Sequence, residues 1–184
     1  MPKIIENVEE KIFDSVVQLI SQHGYSAISM RMIAKESGIA VGTLYNYYAD
    51  KEKLTTTVIL QSWLETLECL EEVFEKKISP DEKLERFLET LYHEIVRRKG
   101  VGKELMKHSL YGKEKMQEIK GKVKACFMRL IHEIQAQSNQ SLCPKYQERV
   151  FGTIMLSMVN LITEFESEEE VNIAYIKDIV RKLL

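Results

Sequence analysis

An all-α fold is what this sequence predicts, and three observations carry that prediction. Apolar residues recur at helical spacing through most of the 184-residue chain, and no strand-like alternation persists for long. Proline occurs only as Pro2, Pro80 and Pro144, and the latter two stand where proline opens a helix rather than breaking one. The expected architecture is a three-helix segment over residues 1–50, followed by a larger helical bundle over residues 51–184, with about nine helices in all.

The elements follow in chain order. Ile5, Val8, Ile12, Val16, Leu19 and Ile20 form one apolar stripe, which predicts a helix from Ile5 to His23 that Gly24 ends. Ser29 is placed to cap a short helix from Met30 to Ser37, with Ile33 and Ala34 inward. Gly38 supplies a tight turn, Ile39 fills the angle behind it, and Leu44 anchors a third helix from Val41 to Tyr47. Asp50 caps a long helix reaching about Lys77, and Ser79-Pro80-Asp81-Glu82 is a capping box opening the helix that runs to Lys99. Helices over Gly102 to Leu110, Lys113 to Gln137 and Pro144 to Glu166 come next, and a final one over Asn172 to Leu184 has Ser167 and Glu170 as a weaker start signal. The acidic run from Glu166 to Glu170 reads as a solvated connector.

Composition narrows the function classes. A net charge of −2 and a pI near 6.1 exclude a protein that coats nucleic acid indiscriminately. Any contact with nucleic acid must therefore use a localised surface. Cys69, Cys126 and Cys143 are widely spaced and form no CxxC pair, so reduced thiols are expected rather than a disulfide frame or a zinc site. The amino terminus lacks the apolar core of a signal peptide and no apolar run reaches membrane-spanning length. A cytoplasmic protein with no membrane partner and no cofactor is the expectation. An enzyme is not expected either, because GxSxG, Walker and dinucleotide fingerprints are missing. Glu89 with His93, and Glu104 with His108, lie four apart but lack the paired Glu-x-x-His pattern of a di-metal bundle.

The first three helices have the layout of a helix-turn-helix. Helical projection puts Leu44 and Tyr48 toward the core, Gly42 and Asn46 opposite, Thr43 beside them, and Tyr45 and Tyr47 on the flanks. This face is poor in charge and rich in hydroxyl tips, which suits hydrogen bonds to phosphates and base edges of double-stranded DNA. Gly42 has no side chain to hold the helix off a DNA backbone, and Lys51 with the amino end of the fourth helix is expected to take a phosphate. The expected DNA-facing set is Ser29, Arg31, Ala40, Val41, Gly42, Thr43, Tyr45, Asn46, Tyr47 and Lys51. Charge is thin there: six basic residues (Lys3, Lys11, Arg31, Lys35, Lys51, Lys53) face seven acidic ones (Glu6, Glu9, Glu10, Asp14, Glu36, Asp50, Glu52). Affinity would rest on where Arg31, Lys35 and Lys51 stand. A bland reading treats the same residues as a solvated helical surface.

Gly24-Tyr25, Ser29, Ile33-Ala34, Gly38-Ile39, Gly42-Thr43-Leu44-Tyr45, Tyr47-Tyr48 and Lys51-Glu52-Leu54 together resemble the TetR (tetracycline-repressor-like) family of transcriptional regulators. The resemblance covers about the first third of the chain. It departs from the family pattern at Ala40, where a hydroxyl cap is usual, and at Tyr48, where phenylalanine is usual. The resemblance implies a small-molecule inducer that changes the angle between two reading heads, with repression as the family's habit.

The helix from Pro144 to Glu166 is apolar over most of its circumference, which calls for cover on two sides. A second copy of the chain is the expected second cover, in a four-helix interface built with the last helix. Phe151, Ile154, Met158, Leu161, Ile162, Phe165, Ile176, Ile179 and Val180 are the expected interface residues, with Gly152 and Ser157 allowing close approach. A homodimer would read a near-palindromic operator. Trp63, Tyr92, His93, Met106, Phe127, Met155 and Met158 are the expected lining for a mostly hydrophobic effector. The runner-up is a dimeric helical small-molecule sensor or adaptor that never touches DNA.

Overall fold

The computed structural model describes residues 8–137 and 143–183. Among them every regular element is helical: α1 (Val8–His23), α2 (Met30–Ser37), α3 (Val41–Tyr47), α4 (Lys51–Glu75), α5 (Pro80–Arg98), α6 (Val101–His108), α7 (Leu110–Gln135), α8 (Pro144–Glu164) and α9 (Glu169–Leu183). Ile5 and Leu184, expected inside the first and last helices, lie outside the described residues.

The caps at Asp50 and Ser79 act where the sequence places them. Asp50 Oδ1 accepts from Lys53 N at 2.7 Å and starts α4. At α5 the capping box closes in both directions, Glu82 N donating to Ser79 Oγ at 3.2 Å and Ser79 N to Glu82 Oε2 at 3.0 Å. The Ser79 N–H, and the Ser79 hydroxyl donating to the same oxygen at 2.8 Å, hold the Glu82 carboxyl below the usual carboxylate range. The start of α9 differs from expectation. It begins at Glu169 rather than Asn172, because Asn172 N already donates to Glu168 O at 2.8 Å.

The chain divides into two compact units, one of Met1–Glu65 with Arg98–Ile119, the other of Thr66–Arg97 with Lys120–Leu184. In the first, α1 packs on α2 and α6, and α2 on α3. Its core holds Ile12, Val16, Ile33, Leu44, Leu54, Ile59 and Leu105, all essentially excluded from solvent. In the second, Phe127 bridges two rings, 5.9 Å from Phe87 and 5.6 Å from Phe151, between centroids. Asn172 is buried there, and its Nδ2 donates to Tyr92 Oη at 2.9 Å and to Phe165 O at 2.8 Å, tying the α8–α9 connection to α5. Exposed pairs such as Arg181 with Asp81, at 2.6 Å, add little to this.

The second unit also corrects the expected dimer face. Phe151, Ile154, Met158, Ile176 and Val180 are buried inside the protomer, where they face α8's and α9's own neighbours. A side chain already packed within one subunit cannot cover another. Leu161, Ile162 and Ile179 are half-buried, and Phe165 is exposed. The large apolar side chains that α8, α9 and their connection leave outward are Tyr146, Leu156, Val159, Phe165, Val171, Tyr175 and Leu183, and Leu156 is 64% exposed. Gly152 stands in open space.

Candidate nucleic-acid interface

The turn between α2 and α3 is built from two residues. Gly38 adopts φ 68°, ψ 20°, in the left-handed region that glycine enters without cost. That conformation lets Ile39 N donate back to Ala34 O at 3.0 Å and sends the Ile39 side chain into the core. Ser29 opens α2, its Oγ accepting from Met32 N at 3.3 Å. Ala40 precedes α3 in an extended conformation with no side-chain cap, so α3 relies on backbone bonds alone, such as Thr43 N to Ala40 O at 2.9 Å.

With Leu44 only 1% exposed, the rotation of α3 is set, and the remaining side chains divide accordingly. Tyr45 is 54% and Tyr47 76% exposed. Val41, Gly42 and Asn46 also face outward, and Thr43 is half-buried. A Cβ built on Gly42 meets nothing within 4 Å, so no packing need within the protein explains glycine there. Arg31 and Lys35 on α2 and Ala40 before α3 are exposed as well. Tyr48 turns partly inward, and burial raises its phenol above the ordinary value.

Lys51 is the exception. Its Nζ, expected to face a phosphate, instead donates to Tyr25 O and Ile28 O at 2.9 Å each, with Ser26 O at 3.5 Å. An ammonium has three donors, and these carbonyls of the α1–α2 connection engage them. It also stands 4.6 Å from the centroid of the Tyr25 ring, a cation–π contact. Tyr25 in turn stacks on His108 at the end of α6, ring centroids 5.1 Å apart and planes 13° apart. Burial raises the Tyr25 phenol above its ordinary value. Lys51 thus closes the loop that sets where α2 begins. A contact between residues 26 apart in sequence leaves no periodic signal by which to find it.

The expected effector lining separates. Trp63 belongs to the first unit; Tyr92, His93, Phe127, Met155 and Met158 belong to the second. Tyr92, Phe127 and Met158 are buried and Met155 is half-buried. Tyr92's hydroxyl, however, is engaged by Asn172. His93 is a correction: it faces outward, its Nε2 2.6 Å from Glu169 Oε1, because its place on α5 lies on the solvent side of the stripe marked by Leu88, Leu91 and Tyr92. The Met106 side chain lies outside the described residues. Cys126 is buried against Glu71, and burial, reinforced by that carboxylate, pushes its thiol up to about 12. No group of His, Cys, Asp and Glu that could hold a metal ion occurs among the described residues, and no described helix is long and apolar enough to cross a membrane.

Residues 12–57, which span α1, the turn and the start of α4, match the model of the bacterial regulatory proteins of the tetR family. The amino-terminal helices thus form a tetR-family domain. The fatty acid metabolism regulator protein of Bacillus subtilis (strain 168) is 32% identical over 74 residues, covering 40% of this chain and 38% of that protein. The transcriptional repressor KstR of Rhodococcus jostii (strain RHA1) is 35% identical over 54 residues, covering 29% of this chain and 26% of that one. These alignments therefore span well under half of either relative. Across nearly the whole chain the fold is that of solved tetR-family regulators. The fatty acid degradation regulator FadR of Bacillus halodurans superposes with a TM-score of 0.76 at 18% identity, covering 98% of this chain and 96% of that one. FadR of Bacillus subtilis in complex with stearoyl-CoA gives 0.74 at 22% identity, covering 95% and 96%. The all-α class with an amino-terminal helix-turn-helix agrees with the sequence expectation.

Proposed function

We propose that this protein is a ligand-responsive transcriptional regulator that binds a near-palindromic DNA operator as a homodimer and releases it when an acyl effector binds. The observation that carries the reading is the outward presentation of Tyr45, Tyr47 and Gly42 on a short helix locked by Leu44. A tyrosine combines an apolar body with a donor–acceptor tip, which suits a groove where phosphates and base edges are both within reach. Residues 1–50 act as the reading head and 51–184 as the part that senses the effector and pairs the subunits. Ser29, Arg31, Ala40, Val41, Thr43 and Asn46 complete the contact surface, while Lys51 acts from behind by fixing the turn.

The acyl class of effector is supported by relatives named for fatty acid metabolism and by a related fold that holds stearoyl-CoA. Release requires that the effector bind the DNA-incompetent conformation more tightly than the competent one, since equal affinity shifts nothing. The outward apolar residues of α8 and α9 support a second copy as the remaining cover.

Fluorescence anisotropy with DNA from beside its own gene, at several salt concentrations, tests the reading. Tyr47→Ala and Arg31→Ala should each weaken binding by about tenfold or more with an unchanged melting temperature, since each side chain is exposed and so removes a DNA contact only. Lys51→Ala should weaken binding and lower the melting temperature together, because it opens the turn. If Tyr47→Ala and Arg31→Ala bind as tightly as the parent, a non-DNA sensor is the better description.

A further inference from the structure

The charges on α8 run the wrong way round for a helix standing alone. A helix is partly positive at its amino end and partly negative at its carboxy end, so acidic side chains favour the first turn and basic ones the last. α1 follows that rule with Glu9 and Glu10 against His23, and α9 with Glu169 and Glu170 against Arg181 and Lys182. α8 reverses it. Lys145 stands in its first turn and Arg149 a turn later, Glu164 ends it, and Cys143 supplies no side-chain cap. Its acid near the amino end, Glu148, pairs with Lys124 of α7 at 2.7 Å. Beyond Arg149 no basic residue follows until Lys177, while Glu164 and Glu166 are exposed. The outward surface of α8 is therefore basic at one end and acidic at the other.

The exposed positions between those ends keep to one face. Lys145, Arg149, Gly152, Leu156, Val159 and Thr163 are all exposed and recur at alternating spacings of four and three, the pattern of a seam between paired helices. Leu156 lies near its middle. A Cβ on Gly152 would meet nothing within 4 Å, so glycine there, which weakens a helix, answers no packing need inside the subunit.

We propose that α8 pairs with α8 of a second copy, antiparallel about a two-fold axis beside Leu156, and that its end charges make the chain select its own copy. Such an axis brings Lys145 and Arg149 of each subunit to Glu164 and Glu166 of the partner subunit, at both ends at once. Gly152 lets the helices approach. Each acidic end also lies beside the positive start of the partner helix, which relieves the reversed charges of both. A related chain without this polarity would bring like charges together, and that repulsion gives selectivity. The proposal rests on the homodimer reading above and adds to it the direction of pairing and the residues that choose the partner.

Sedimentation velocity and native mass spectrometry of the full-length protein test it with two charge-reversed chains. One carries Lys145→Glu with Arg149→Glu, the other Glu164→Lys with Glu166→Lys. Each alone should self-associate at least about tenfold more weakly than the parent, because like charges then meet at both ends. Mixed in equal amounts, with one chain isotopically labelled, they should form a one-to-one dimer of about the parent's affinity, since every pair is again of opposite sign. All four substitutions in one chain should restore the homodimer. Circular dichroism should show each reversed chain melting no lower than the parent, because the new charges suit the helix. If a reversed chain does not fold, Arg149→Glu and Glu164→Lys, singly and mixed, decide the matter. Reversed chains that dimerise as the parent does, or that fail to recover on mixing, overturn the antiparallel seam while the parent's dimer leaves the homodimer reading standing. A parent that stays monomeric at every concentration removes both.

Discussion

The α3 surface and the outward side of α8 and α9 both expose large side chains, yet they are chemically unlike. Tyr45 and Tyr47 end in hydroxyls, Asn46 and Thr43 lie on the same short helix, and Arg31 and Lys35 on α2 are exposed as well. Leu156, Val159, Phe165, Val171 and Leu183 end in hydrocarbon, and only Tyr146 and Tyr175 among these large side chains carry a hydroxyl. A surface of the first kind makes directional bonds to a polar polymer that stays hydrated. A surface of the second kind gains only by removal from water and needs a partner as apolar as itself. Exposure alone therefore does not name a partner; the chemistry at the tip of each exposed side chain does.

Three substitutions sharpen that contrast, from the largest expected effect to the smallest. Leu44→Ala removes the anchor on which the α3 surface depends and should cost about 2–5 kcal/mol, a typical range for a buried leucine. Chemical denaturation monitored by circular dichroism measures it, and DNA binding should fall in parallel. Leu156→Glu places a charge in the middle of the apolar surface. Sedimentation should show the dimer weakened by at least about tenfold, with the protomer's own stability changed by no more than about 0.5 kcal/mol because the site is exposed. A dimer that persists unchanged would shift the pairing surface elsewhere. Gly42→Ala is the smallest and the most discriminating, because its two expected effects have opposite signs. The added methyl meets nothing in the protein, so stability should rise by about 0.5–1 kcal/mol from helix propensity. DNA affinity should fall nonetheless, since the methyl holds α3 off the backbone. A rise in both would mean that α3 does not approach DNA at this residue.

The two regions also differ in how far they can be read from residue order. The α2–turn–α3 segment follows its signals residue by residue, Ser29 at the start, Gly38 at the turn and Leu44 inward, and its outward face follows from rotation about one axis. On α8 the same kind of projection is ambiguous. Ile154 and Leu156 are both apolar, and nothing within the helix indicates that the first is buried and the second exposed. Similarly, Tyr92 and His93 are adjacent on α5, but only the tertiary structure brings Asn172 to one and Glu169 to the other.

Residue order alone determined the course of the helices, the caps at Ser29, Asp50 and Ser79 and which side chains α3 leaves exposed, because each depends on interactions spanning about four residues or fewer. Tertiary structure decided the rest: that Lys51 closes a loop 23 to 26 residues away, that an all-round apolar helix turns Phe151, Ile154 and Met158 toward its own subunit, and that Trp63 and Arg98 meet. Each of those outcomes needs a partner brought from far along the chain. An amphipathic pattern specifies that a side chain must be covered, while the packing of distant helices selects what covers it.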